Sequence, residues 1–213
     1  MHLIHRGIVS KKYKENLINS FNASFKKGYS IETDIHATKD QEFVCFHDFT
    51  LKRVFKKKDS IKNLNYEKIK KISLKSKKPI PLLKDLLKIS KNKFFLFIEI
   101  KPILSKKLLK KLLIETSKFP KCVFISFKHE NIYNILKLNK KKKVGLSFSA
   151  SSNIKSIVQK SKNRNINFLV LDKFHINNKK IRKIKIKKYY YTIKKNSEFR
   201  KFNKDNNLIF ENL

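Results

Sequence analysis

Short apolar runs alternate with lysine-rich amphipathic stretches along the whole chain. Most of the apolar runs are four to seven residues long, a common length for strands of a buried sheet. The pattern therefore predicts nine strands, namely His2–His5, Ile31–His36, Phe43–His47, Phe94–Ile100, Val123–Phe127, Val144–Phe148, Phe168–Leu171, Tyr189–Ile193 and Leu208–Phe210.

The amphipathic stretches between these runs are predicted to be helices. In the stretch LSKKLLKKLLIETS, apolar residues recur at the i, i+3 and i+4 positions that place them on one face of a helix. The predicted helices are Glu15–Lys27, Asn65–Ile72, Leu82–Ile89, Leu104–Ser117, Glu130–Leu138, Asn153–Lys160, Asn177–Ile184 and Ser197–Asn203.

Strands that alternate with helices favour a parallel sheet. With the run Phe43–His47 set aside as an extra segment, eight strands remain. We predict one compact α/β domain over residues 1–213, a closed (β/α)₈ TIM barrel that lacks the final helix. The alternative is an open doubly wound sheet, which would be expected to carry a glycine-rich phosphate loop. This chain has three glycines and no such loop.

Carboxylates at the ends of two predicted strands are the first candidates for chemistry. Alternate residues of a strand share a face, so Glu32 and Asp34 project together, as do Glu99 and Lys101. Two adjacent carboxylates repel each other inside a barrel mouth unless they share a hard cation, which prefers oxygen ligands. Barrel enzymes carry their catalytic groups at these strand ends.

Two histidines and two cations complete the set. His5 ends the first predicted strand and His47 ends the extra run, so the pair could act as general acid and base. Arg6 and Lys101 could bind an anionic oxygen. Carboxylates, histidines and cations in this combination are typical of metal-assisted cleavage of a phosphate ester.

Composition adds a formal net charge of +37, and only five of the 53 basic residues are arginine. Asn, Ile, Phe and Tyr are also plentiful, as A/T-rich codons would produce, so the lysine excess reflects either codon bias or a field that attracts anionic partners. The scarcity of arginine argues against specific nucleic-acid binding.

Cys45 and Cys122 lie in apolar runs and are expected to be buried thiols. With no membrane span or signal peptide recognised, we expect a cytoplasmic location.

Several segments resemble the glycerophosphodiester phosphodiesterase family, whose members have a phospholipase-C-like TIM-barrel fold. They run in family order over nearly the whole chain, and the run between residues 5 and 53 is the most specific. The segments are IHRG (4–7), KENLINSFNASFKKGYSIETDIHATKDQEFVCFHDFTLKRV (14–54), IPLLKDLL (80–87), FIEIK (97–101), ISF (125–127) and YTI (191–193).

The resemblance implies hydrolysis of glycerophosphodiesters to sn-glycerol 3-phosphate and an alcohol, with one divalent cation, Mg²⁺ or Ca²⁺. The implied roles follow the family motifs. They are acid and base for His5 and His47, metal ligands for Glu32, Asp34 and Glu99, phosphate binding for Arg6 and Lys101, and support of the site for Glu15 and Asn16. Candidates for the pocket lining are Ser126, Phe127 and Tyr191.

The chain departs from the family pattern at several positions. Lys14 and Gln41 replace a usual Pro and Gly, Tyr191 stands where Trp is frequent, and Glu211 could replace the Asp that usually ends the last strand. A missing final helix would leave apolar surface uncovered between the last and first strands. We expect a homodimer partner or an anionic membrane to cover that surface.

Two other functions remain open from the sequence. A phosphodiesterase of this kind could act on lysophospholipids or on another headgroup. A degenerate barrel could instead bind polyanions through its lysines without catalysis, although the retained acid, base, metal and cation positions argue against it.

Overall fold

The computed structural model describes residues 1–211, and Asn212 and Leu213, which the single-domain prediction included, lie outside them. Nine strands form one sheet in this part of the chain. They are β1 (Leu3–His5), β2 (Ser30–Ala37), β3 (Phe43–Cys45), β4 (Leu96–Ile100), β5 (Cys122–Ser126), β6 (Val144–Phe148), β7 (Phe168–Asp172), β8 (Lys187–Ile193) and β9 (Asn207–Phe210).

Eight of these strands close into a parallel barrel. β1 pairs in parallel with β2 on one side and with β9 on the other, which joins the two ends of the sheet. β3 stands apart from the eight because it pairs antiparallel with β2 and has no second neighbour in the sheet. The predicted (β/α)₈ barrel and the extra run outside it are both confirmed.

The barrel interior is packed with apolar side chains below its carboxyl end. The inward-facing residues of the strands form one cluster, which fills the barrel so that no pore remains. The polar residues at the carboxyl end therefore lie on an apolar layer that excludes water. The rings of Phe97 and Tyr189 meet there with centroids 4.7 Å apart. The cluster consists of Leu3, Phe97, Val123, Ile125, Val170, Tyr189 and Ile209.

Helices pack around the outside and bury the opposite faces of the strands. They are α1 (Ile18–Lys26), α2 (Lys52–Phe55), α3 (Tyr66–Lys75), α4 (Leu83–Ser90), α5 (Lys106–Glu115), α6 (His129–Leu138), α7 (Ile154–Lys160), α8 (Lys179–Arg182) and α9 (Asn196–Phe202). Within residues 1–211 no helix follows β9, and 3₁₀ turns lie at Ile61–Asn63 and Lys173–His175. Each predicted helix has a counterpart, whereas α2 and the two 3₁₀ turns were not predicted.

The segment between β3 and β4 has a small core of its own. Val44 and Phe46 pack there against apolar residues of α2, α3 and the segment around Ile80. This second core fixes the chain that follows β3, and that chain carries His47 and Asp48.

Within residues 1–211, the face between the last and first strands is covered and not exposed as expected. Ile4, Leu208 and Phe210 are at most 5% exposed. Phe199 of α9 and Tyr29, just before β2, cover Phe210 with ring centroids 5.1 and 5.5 Å away. The prediction that this surface is uncovered was wrong because aromatic side chains of neighbouring segments pack over it.

No helix among residues 1–211 combines the length and the apolar character that crossing a membrane requires.

Candidate active site

Three buried carboxylates converge at the carboxyl end of the barrel. Glu32 and Asp34 lie on the inner face of β2, and Asp34 stands opposite Glu99 of β4 in the parallel register. One carboxylate oxygen from each residue lies within 4.8 Å of the other two. None of the three is more than 9% exposed. The structure thus brings together the residues that the sequence suggested as metal ligands.

Burial, mutual repulsion and nearby cations give the three carboxyl groups different pKa values. Burial raises the pKa of Glu32 well above its ordinary value, and the charges of Asp34 and Glu99 add to the rise. Burial and Asp34 raise the pKa of Glu99 to about 7. Burial acts on Asp34 in the same direction, but the charges of Arg6 and Lys101 outweigh it and lower the Asp34 pKa. Asp34 is therefore the carboxylate that these two cations hold ionised.

The two cations contact the carboxylates directly. Arg6 Nε lies 3.0 Å from Asp34 Oδ2, and Lys101 Nζ lies 2.7 Å from Glu99 Oε1 and 3.4 Å from Asp34 Oδ1. Burial opposes the charge of Lys101, yet Asp34 and Glu99 raise its pKa. Both predicted phosphate-binding groups are therefore present as cations at the carboxylate cluster.

A tight turn after β1 aims Arg6 into the site. Arg6 and Gly7 both have positive φ, at 56° and 78°, and the Arg6 backbone N–H donates to the Glu32 carbonyl at 2.8 Å. A Cβ on Gly7 would lie 2.3 Å from Ser20 Oγ. Glycine is required there because the turn presses directly on α1.

Asn16 links the turn at Arg6 to β2, which carries two of the buried carboxylates. Its backbone N–H donates to the Arg6 carbonyl at 2.8 Å, and its Nδ2 donates to Asp34 Oδ2 at 3.2 Å. Thr33 Oγ1 donates to Asn16 Oδ1 at 2.8 Å. With φ at 56°, Asn16 cannot be helical, so the predicted helix Glu15–Lys27 begins only at Ile18. Asn16 thus connects Arg6, Asp34 and Thr33, which is the arrangement expected of a residue that supports the site.

His5 is held at one nitrogen by a carboxylate that ends the last strand. His5 Nδ1 lies 3.1 Å from Glu211 Oε2, while His5 Nε2 lies 3.8 Å from Glu32 Oε2. The hydrogen bond with His5 lowers the pKa of Glu211 to about 2, and Lys194 Nζ, 2.6 Å from its other oxygen, acts in the same direction. Glu211 therefore stands at the site as an ionised partner of His5.

His47 is held in the same way by the residue that follows it. His47 Nδ1 lies 2.6 Å from Asp48 Oδ1, and Arg53 Nε donates to Asp48 Oδ2 at 2.6 Å. Arg53 also donates to Glu15, whose other oxygen accepts from Arg6 Nη1 at 3.2 Å. Since a carboxylate engages the Nδ1 of each histidine, Nε2 is left for a substrate.

His36, Asp48 and Arg53 also contact the site residues, although the sequence predicts no catalytic or binding role for them. His36 is buried, and burial lowers its pKa to about 4, so the neutral ring donates from Nε2 to the His47 carbonyl at 3.1 Å. Asp48 directly follows His47 in the sequence HDF, and this adjacency was a usable signal that the two side chains interact. Arg53 lies in the family-like segment 14–54, which was a usable signal for it. The contacts that Arg53 and His36 make depend on how the segment after β3 folds.

A cavity of about 510 Å³ lies at the mouth of the barrel, and its lining includes His5, Arg6, Glu32, His47, Glu99, Lys101 and Glu211. Phe127 and Tyr191 form part of its wall with ring centroids 5.9 Å apart, and the Tyr191 hydroxyl donates to the Phe148 carbonyl at 3.0 Å. Ser126 does not line it, so this prediction was wrong. Ser126 is fully buried on the outward side of β5, where its hydroxyl donates to the Ile100 carbonyl at 2.7 Å.

The donor set fits a hard divalent cation. Glu32 Oε2 is buried and has no hydrogen-bond partner among residues 1–211. A buried carboxylate oxygen without a partner is costly, and a cation ligated by carboxylate oxygens removes that cost. Glu32, Asp34 and Glu99 are the residues that could hold it.

A sequence model of the glycerophosphoryl diester phosphodiesterase family matches residues 5–208. A probable glycerophosphodiester phosphodiesterase 2 of Mycobacterium tuberculosis is 33% identical to this chain over 86 residues. That match covers 40% of this chain and 33% of the relative, so the aligned part is about a third of the relative's length.

Solved structures of similar proteins share the fold over almost the whole chain. A glycerophosphodiester phosphodiesterase of Thermotoga maritima superposes with a TM-score of 0.83 at 21% identity, covering 98% of this chain and 92% of that one. A phosphodiesterase of Oleispira antarctica, solved with the product sn-glycerol-3-phosphate, superposes with a TM-score of 0.84 at 19% identity, covering 98% and 91%.

Proposed function

Since the chain belongs to the glycerophosphoryl diester phosphodiesterase family, we propose that it hydrolyses glycerophosphodiesters to sn-glycerol 3-phosphate and an alcohol, with a divalent cation. The observation that carries this proposal is the convergence of Glu32, Asp34 and Glu99 within 4.8 Å, between two cations and two carboxylate-held histidines. A bound product in the Oleispira antarctica relative supports the choice of glycerol 3-phosphate.

The cation would be Mg²⁺ or Ca²⁺, held by Glu32, Asp34 and Glu99. When bound, it supplies a positive charge that stabilises the developing negative charge on the phosphoryl oxygens. Arg6 and Lys101 face the same cavity and bind the other phosphoryl oxygens.

His5 and His47 move the protons. One histidine takes the proton of the glycerol 2-hydroxyl as that oxygen bonds to phosphorus, and the other gives a proton to the alcohol oxygen as its bond to phosphorus breaks. Water then opens the cyclic phosphate with the two roles reversed. Glu211 and Asp48 keep Nε2 of each ring available for these transfers, because each engages the Nδ1 of its histidine.

A lysophospholipid substrate is the second candidate, favoured by an apolar cavity beside the site. This cavity of about 290 Å³ has Leu17, Val54 and Phe55 in its wall and shares Glu15 and Arg53 with the catalytic cavity. An acyl chain could extend into it past the Glu15–Arg53 ion pair.

The test is release of glycerol 3-phosphate from glycerophosphocholine, followed with a coupled dehydrogenase in Mg²⁺, in Ca²⁺ and in EDTA. We expect turnover only with a cation, and a loss of at least about 100-fold in His5→Asn, since general acid–base catalysis contributes that much. Lys137→Gln, an exposed change on α6, should leave the rate unchanged. Choline leaves from both glycerophosphocholine and lysophosphatidylcholine, so faster choline release from lysophosphatidylcholine would favour the second candidate. Activity that survives both EDTA and His5→Asn would refute the proposal.

A further inference from the structure

Exposed apolar side chains gather at one end of the barrel. Of the eight large apolar residues exposed among residues 1–211, four lie in the segments that follow β3, β4, β5 and β7. They are Phe49, Ile103, Phe127 and Phe174, and they are 53%, 57%, 39% and 76% exposed. We refer to these four residues as the rim residues.

The strand directions place the rim residues around the mouth of the site. Ile103, Phe127 and Phe174 follow β4, β5 and β7, which are parallel, so all three lie at the carboxyl edge of the barrel. Phe127 lines the catalytic cavity, and Phe49 packs on His36 with ring centroids 5.0 Å apart. The other four exposed residues, Met1, Tyr29, Leu74 and Ile114, lie elsewhere on the fold.

Exposed lysines stand on the loops of the same edge. Lys11 and Lys12 lie between β1 and α1, Lys128 follows Phe127, and Lys194 and Lys195 follow β8. Lys128 and Lys195 directly precede helices, where the positive end of the helix dipole disfavours a cation. An anionic surface placed against this edge would relieve that repulsion.

The chemistry of the edge fits an anionic lipid surface better than a protein. Cores of protein interfaces are depleted of lysine, whereas apolar side chains among lysines are characteristic of segments that lie in the headgroup region of a membrane. Each lysine near an anionic bilayer contributes attraction, but lysines cover the whole chain. The apolar residues therefore determine which face docks.

We infer that the protein docks on anionic membranes with the carboxyl edge of its barrel, the rim residues entering the headgroup layer. The occupant is a bilayer rich in anionic phospholipid. The catalytic cavity then opens towards the lipid surface. This inference concerns binding alone and does not depend on the proposed activity.

A tryptophan probe tests the orientation directly, because the chain contains no tryptophan. Phe174→Trp reports on the rim. Ile114→Trp is its matched control, since Ile114 is 74% exposed but lies near the end of α5, which returns to the opposite edge. Each variant is mixed with phosphatidylcholine vesicles containing phosphatidylglycerol, and the bromine-labelled acyl chains of these vesicles quench any tryptophan that enters the bilayer.

We expect a blue shift and at least twofold quenching for the probe at 174, and little change for the probe at 114. Equal quenching at both positions, or none at position 174, would overturn the inference. The inference would also be overturned if heparin changed the fluorescence at position 174 as much as vesicles do and bromine caused no quenching. That result would reveal polyanion binding alone.

A second variant pair separates apolar insertion from general attraction. Ile103→Ser with Phe174→Ser removes two rim residues, while Leu74→Ser with Ile114→Ser removes two exposed residues elsewhere. In vesicle sedimentation at high salt, which screens the lysines, the rim pair should bind about tenfold or more weakly than the unaltered protein. Equal loss in both pairs would contradict the inference.

Discussion

Replacing Glu99 by glutamine should stabilise the metal-free protein at high pH. Burial and the neighbouring Asp34 raise the pKa of Glu99 from 4.5 to about 7. The native state therefore holds a proton that the unfolded chain has already released. Stability falls as the pH rises between these two values, and the loss is complete above pH 7. Glutamine is nearly the same size and cannot lose a proton.

The size of the effect follows from the shift. A rise from 4.5 to about 7 corresponds to about 3 kcal/mol of unfolding free energy, because each pKa unit is worth ~1.4 kcal/mol. The variant loses the 2.7 Å contact between Glu99 and Lys101, which reduces the gain. Lys101 retains Asp34 at 3.4 Å, so it is not left without an anionic partner.

Urea unfolding followed by circular dichroism at pH 5 and pH 8, in EDTA, measures the difference. Glu99→Gln and the unaltered protein should be similar at pH 5 and should differ by up to about 3 kcal/mol at pH 8. Glu67→Gln, a change at an exposed position on α3, controls for net charge. Added Mg²⁺ should stabilise the unaltered protein alone. Parallel pH profiles for Glu99→Gln and the unaltered protein would refute the reasoning.

Three further changes test other parts of the account. Asp48→Asn should lower kcat by about 10-fold or more in steady-state assays, since it weakens the bond that sets His47; an unchanged kcat would remove Asp48 from the mechanism. Gly7→Ala should lower Tm by several degrees, or ~2 kcal/mol, because its Cβ would meet Ser20 at positive φ; calorimetry showing an unchanged Tm would contradict this. Lys137→Gln should alter only the salt dependence of heparin binding, and a changed rate would refute it.

The alternation of side chains along a strand was enough to predict part of the site. Glu32 and Asp34 are two residues apart on a strand, and so are Glu99 and Lys101, so each pair had to share a face. The barrel then followed from eight alternating units, and it brought β2 and β4 side by side. These predictions succeeded because they depend on local periodicity and on the rule that the carboxyl ends of parallel strands lie at one edge of the barrel.

Contacts between distant segments could not be predicted in the same way. His5 and Glu211 are 206 residues apart and meet only because β1 and β9 close the barrel. Arg53 reaches Glu15 only because α2 follows the antiparallel β3. The covered face between β1 and β9 depends on Phe199, whose ring meets Phe210 only in the folded chain. Each of these contacts is set by tertiary packing.

Activity measured while a cation is titrated into the metal-free protein tests the central claim most directly. Release of glycerol 3-phosphate from glycerophosphocholine should rise from background to a plateau as one Mg²⁺ or Ca²⁺ binds per chain. Glu32→Gln should neither bind the ion nor turn over, since it removes the carboxylate whose Oε2 has no hydrogen-bond partner among residues 1–211. Full turnover without a cation, or a Glu32→Gln titration that matches the unaltered protein, would contradict the account.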